Sequence, residues 1–123
     1  MSLPRWMDAS LRIEWGCVAL ALVAAFWAIG GSWLLFAALV LAPDLFMLGY
    51  LARPRMGAIA YNLVHILIGP FVLGCVALIT DSAIAKQITL IWAFHIAVDR
   101  ALGYGLKLPT SFQDTHLGRI GRG

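Results

Sequence analysis

His95 and Asp99 stand four residues apart in the stretch Ile91-Trp92-Ala93-Phe94-His95-Ile96-Ala97-Val98-Asp99-Arg100. On a helix that spacing stacks an imidazole over a carboxylate on one face. Two other segments carry the same chemistry: Asp44 in Ala42-Pro43-Asp44-Leu45, and His65 in Tyr61-Asn62-Leu63-Val64-His65. Two imidazoles and two carboxylates form a donor set that zinc, manganese or iron accepts. Asp44, His65, His95 and Asp99 are therefore the expected ligands of a divalent metal. Glu14 is a candidate further ligand, or a base acting on metal-bound water. Tyr61 and Asn62 precede His65 by four and three residues, share its face, and could orient it. In the tail, His116 could fold back as a ligand or proton donor. Arg100, Tyr104 and Lys107 would form a rim, although Arg100 is long enough to snorkel to an interface.

These groups sit in a chain that is otherwise hostile to charge. Of 123 residues, 62% are hydrophobic and 12% charged, far from the soluble average. The length suits one domain. Four apolar stretches run from about Leu11 to Ile29, Trp33 to Leu51, Gly57 to Thr80 and Lys86 to Gly105, each near the roughly 20 residues a bilayer requires. The expected fold is all-α: a four-helix transmembrane bundle followed by a polar tail over residues 106–123. The first helix reads as uncleaved, because Asp8 and Glu14 interrupt what would be a signal peptide's basic region. The formal charge of +3 does not point to nucleic acid. Basic residues flank the spans instead of alternating with aromatics. Arg5, Arg12, Arg53, Arg55, Lys107 and the tail arginines fall on one side and Lys86 on the other. The positive-inside rule then puts both termini in the cytoplasm.

Measured from the cytoplasmic end of each span at about 1.5 Å per residue, Asp44, His65, Asp99 and His95 lie roughly 9–15 Å deep, and Glu14 about 5 Å. They come from both chain directions yet reach one level. Each acid at full depth would cost about 2.5–3.5 kcal/mol if unpaired. Pairing, hydration or a metal must offset that.

Pro43 and Pro70 each remove a backbone donor inside a span and should kink it. Gly30-Gly31-Ser32 reads as a tight turn, Ser82 as a helix cap, and Gly57, Gly69 and Gly74 as places of close helix packing. Cys17 and Cys75 fall near opposite faces, too far apart for a disulfide. A small-residue stripe on the first span (Gly16, Ala19, Val23) would suit a homodimer.

Pro43-Asp44-Leu45-Phe46-Met47-Leu48-Gly49-Tyr50, Gly57-Ala58-Ile59-Ala60-Tyr61-Asn62-Leu63-Val64-His65, His95 with Asp99-Arg100 and Gly103-Tyr104-Gly105-Leu106-Lys107, and Thr115-His116-Leu117-Gly118 together resemble DUF4260, a family of small bacterial membrane proteins of unknown function. That resemblance spans about Ala42 to Gly121 and implies a bacterial inner membrane location. A looser likeness is to membrane-bound metal-dependent hydrolases related to phospholipase C, which pair a Pro-Asp motif, a His-bearing helix and a later His-x-x-x-Asp helix. This chain is shorter than those and lacks their usual His-Arg and Thr-His-Ser cluster. By that analogy the site would hydrolyse a lipid or phosphoester, with membrane lipids as partners. Three other readings compete: a small structural or accessory subunit whose polar cluster locks helix packing, a haem protein with His65 and His95 as axial ligands, and, ranked last because the outer half of the spans offers no polar path, passage of protons or solute through the cluster.

Overall fold

In a computed structural model, residues 4–44, 59 and 62–103 are described, together with the backbone of 114–115 and 118–119. Four α-helices make up nearly all of this: α1 (Arg5–Ala28), α2 (Trp33–Leu39), α3 (Ile68–Thr80) and α4 (Ala83–Ala101). A two-residue antiparallel ladder pairs Asp114 with Arg119 and Thr115 with Gly118, a feature the polar tail did not announce.

Helix α4 is the centre of the bundle and packs against α1, α3 and α2. On α1, Ala19 and Phe26 are buried, seven residues apart on one stripe. Ala19 is thus enclosed in the chain's own core, where the sequence had suggested a face for a second copy. Phe26, Trp33, Phe36 and Phe94 interlock at ring separations of 5.0–5.5 Å, tying α1, α2 and α4 together. These tilted, edge-on arrangements are the ones aromatic quadrupoles favour.

The turns follow local chemistry. Gly30 takes the left-handed φ of 71° that ends α1. Ser32 then caps α2, its hydroxyl accepting from the Leu35 N–H. Ser82 caps α4 in the same way through Ala85. Between α3 and α4, the Lys86 ammonium beside Asp81 holds that carboxyl below its usual range.

All four spans differ from the sequence expectation. Helix α1 begins at Arg5, ahead of the expected Leu11. Helix α4 stops at Ala101, not Gly105, because Gly103 adopts φ 91° and closes the end. Arg12 of α1 reinforces that stop, donating to the carbonyls of Ala101 and Leu102 at 2.9 and 3.2 Å. A cation suits the negative end of a helix. Helix α2 ends at Leu39 and gives way to a 3₁₀ turn at 42–44, so the second span is not one continuous helix. The third is broken at 65–67, between a helical turn at 62–64 and α3. The two prolines therefore do more than kink. Pro43 lies inside the 3₁₀ turn, and Pro70 stands third in α3, just past the break.

Arg5–Ala28 and the stretch Asn62–Thr80 are long and apolar enough to cross a membrane. Their outward faces carry Leu20, Trp27, Phe71, Leu78 and Ile79, each more than two-thirds exposed. Water does not tolerate apolar faces of that extent on a monomer, and the pattern points to a membrane protein.

Candidate metal centre

The two interrupted helices and the one regular helix each deliver ligands to the same place. On α4, the helical i, i+4 spacing aligns His95 with Asp99. The 3₁₀ turn after α2 presents Asp44, and the break before α3 presents His65. His95 and His65 are 4% and 1% exposed, whereas the side chains of Asp99 and Asp44 are 15% and 32% exposed. The cluster is sealed on the imidazole side and open at Asp44.

Four atoms face one another. His65 Nε2 and His95 Nε2 lie 3.0 Å apart. Asp44 Oδ1 is 3.2 Å from the first and 3.0 Å from the second. Asp99 Oδ2 is 3.3 Å from each. One donor atom from each of the four residues lies within 4.8 Å of all the others. Ligands held tetrahedrally at about 2.0–2.1 Å from zinc stand about 3.3–3.4 Å apart. Adjacent ligands of a six-coordinate ion at about 2.1 Å stand about 3.0 Å apart. The separations of 3.0–3.3 Å that involve the two imidazoles are of this size, and these four residues could hold a metal ion.

The hydrogen bonding behind His95 sharpens this. Its Nδ1–H donates to the Val40 carbonyl at 2.6 Å. In a neutral imidazole the other nitrogen, Nε2, then carries a bare lone pair. That lone pair points at two carboxylate oxygens and a second imidazole nitrogen. A network held by protons alone would leave the two Nε2 atoms 3.0 Å apart with at most one proton between them. A cation at the centre could satisfy all four donors together.

Val40 can accept because the chain has just left the α-helix. In a continuous helix its carbonyl would take the Asp44 N–H, but in the 3₁₀ turn that N–H goes to Leu41 at 3.0 Å. The break at 65–67 releases carbonyls in the same way, and α4 catches them. Trp92 Nε1 donates to Val64 at 2.7 Å, and Arg100 Nη2 donates to His65 at 3.0 Å. Arg100 therefore points inward to a ligand's backbone and does not run out to the interface. Sequence reasoning missed Val40 and Trp92. The signal for Trp92 was its place three residues before His95 on the same face; Val40 left none, since a backbone acceptor has no side-chain signature.

Other candidates fare differently. Glu14 is exposed on α1 and does not join the four. Asn62 lies on the helical turn before His65, half-buried. Tyr61, Tyr104, Lys107 and His116 fall outside the described residues, as do Arg53 and Arg55. The haem reading fails on distance: axial nitrogens on opposite sides of one iron stand roughly 4 Å apart with the macrocycle between them, and here 3.0 Å separates them with two carboxylates alongside. Cys17 and Cys75 are both free thiols.

Fold and site together describe a small, all-helical protein of membrane character with a His₂Asp₂ cluster built on helix interruptions. The chain belongs to the DUF4260 family, a domain of unknown function, whose model matches residues 8–120. The match takes in α1 as well as the motif-bearing segments. Nothing matches among curated proteins, and nothing among solved structures.

Proposed function

We propose that this chain is a metal-dependent hydrolase of the bacterial inner membrane, acting on a lipid or phosphoester at the cytoplasmic leaflet. The observation that carries the reading is the meeting of Asp44, His65, His95 and Asp99, with Asp44 partly open to the outside. A divalent ion there would supply Lewis acidity to a bound ester or phosphoryl oxygen. The residues' share is to fix that ion. Buried His65 and His95 exclude water from one side, and Asp44 leaves the other accessible. In the reaction, the oxygen of water bonds to phosphorus or to an acyl carbon, the bond to the leaving oxygen breaks, and that oxygen takes a proton. Both termini would lie in the cytoplasm, as the basic residues require.

The metal's coordination number discriminates this from a second reading. Four protein ligands close a tetrahedral zinc, and closed sites are structural. The same four leave two positions on a six-coordinate manganese or iron. A tetrahedral zinc would make the cluster a staple between α4 and the two broken helices, and the chain a small accessory subunit. The test is hydrolysis by purified, metal-loaded protein in detergent, using phospholipid and soluble phosphoester substrates. The hydrolase reading expects turnover that chelation abolishes, that metal restores, and that Asp99→Asn lowers at least a hundredfold. Protein carrying a stoichiometric metal but giving no turnover on either class would overturn it in favour of the staple.

A further inference from the structure

A cavity of about 260 Å³ adjoins the candidate metal centre. Leu39 and Pro43 form one wall, Val64 another, and Ile88, Ile91 and Trp92 of α4 a third. Each wall runs straight into a metal-ligand candidate. Pro43 precedes Asp44, Val64 precedes His65, and Ile91 and Trp92 sit one turn before His95. Among the described residues, the lining offers nothing for a polar ligand. Among the described lining residues the one side-chain donor, Trp92 Nε1, is engaged by the Val64 carbonyl at 2.7 Å. The helix interruptions shape this space as well as the cluster, because α2 ends at Leu39 and the chain turns away through Pro43.

We propose that this cavity binds one acyl chain of a lipid whose ester or phosphate end meets the four-residue cluster. Three observations favour that occupant. The lining is hydrocarbon, so a soluble phosphoester gains nothing from it. The volume lies below the roughly 300–1,000 Å³ of sites for drug-sized ligands, so it suits a single chain and not a whole two-chain lipid. Among the described residues, the polar donors of the cluster follow the lining residues Pro43, Val64 and Trp92 along the chain, which suits a ligand with one apolar and one polar end. The position of the polar end rests on the hydrolase reading; the chain-binding part does not.

The probe is a phosphatidic acid carrying a diazirine in one acyl chain, photolysed with the purified full chain in detergent and mapped by mass spectrometry. Label is expected on Leu39, Pro43, Ile88, Ile91 and Trp92 above the level on the outer face of α3, represented by the exposed Val72 and Ile79. A phosphatidic acid with eight-carbon chains should displace that label at least tenfold better than glycerol phosphate, which has no chain. Ile88→Trp, which fills the cavity at a distance from the donors, should reduce the label at least fivefold while metal content and outer-face labelling hold. Label no stronger in the cavity than on the outer face, or equal displacement by glycerol phosphate, would overturn the proposal. The competition arm needs no variant, so misfolding of Ile88→Trp leaves the test intact. Chain-dependent labelling without turnover would uphold the binding site while overturning the hydrolase reading.

Discussion

The Nδ1–H of His95 decides what its Nε2 can do. Because that proton goes to the Val40 carbonyl, Nε2 of the neutral imidazole is left as a ligand atom aimed at the cluster. Loss of a partner of this kind typically costs about 10–100-fold in metal affinity. Arg100 does for His65 what Val40 does for His95, but through the backbone, by holding the carbonyl at the helix break. Arg100→Gln should therefore weaken metal affinity about 10–100-fold, while Arg100→Lys, which keeps a long cationic donor, should recover part of it. Competition with a chelator of known affinity measures both. Equal affinity in wild type and Arg100→Gln would show that the contact positions nothing. The four ligands were legible from residue type and spacing, since costly groups in an apolar chain stand out against their surroundings. The direction of Arg100 was not. A long cation near the end of a span can turn outward or inward, and only the position of a freed carbonyl decides.

At the scale of elements, the site depends on where helices fail. A continuous second span would have used the Val40 carbonyl internally, and a continuous third would have used those of Val64 and His65. Pro43 and Pro70 marked both regions in the sequence. Their outcome, a 3₁₀ turn and a full break, depends on α4 offering His95, Trp92 and Arg100 to the released acceptors. Close approach makes this possible. A Cβ on Gly69 would lie 2.4 Å from the Trp92 ring, the ring whose Nε1 holds Val64. Gly69→Ala should therefore force Trp92 aside and destabilise the protein by about 1–3 kcal/mol, the usual result of overpacking. The thermal midpoint in detergent should fall, and unchanged stability would mean the ring moves without loss. The end of α4 was set too late by hydropathy alone, because Gly103 and the Arg12 contact act through conformation and not through apolar content. Arg12 had been legible only as a topology charge.

For the molecule as a whole, the all-helical fold and its membrane character follow from composition, whereas the convergence of the cluster needed three dimensions to see. Depth along each span brought Asp44, His65, His95 and Asp99 to one level, but a shared level does not say which faces meet. Glu14 illustrates the limit: its span and approximate depth were compatible with the cluster, yet it is exposed on α1. Membership of DUF4260 extends the match over α1, whose role is to support α4 and cap its end through Arg12. The central claim is that the four donors hold one divalent metal, and metal analysis of the purified protein tests it most directly. About one equivalent per chain is expected in wild type, with loss of nearly all of it in His95→Ala combined with Asp99→Ala, and in His65→Ala. Circular dichroism on the same samples would establish that the helices persist. Metal-free wild-type protein that stays empty after incubation with zinc, manganese or iron, or a full equivalent surviving in the folded double variant, would contradict the claim.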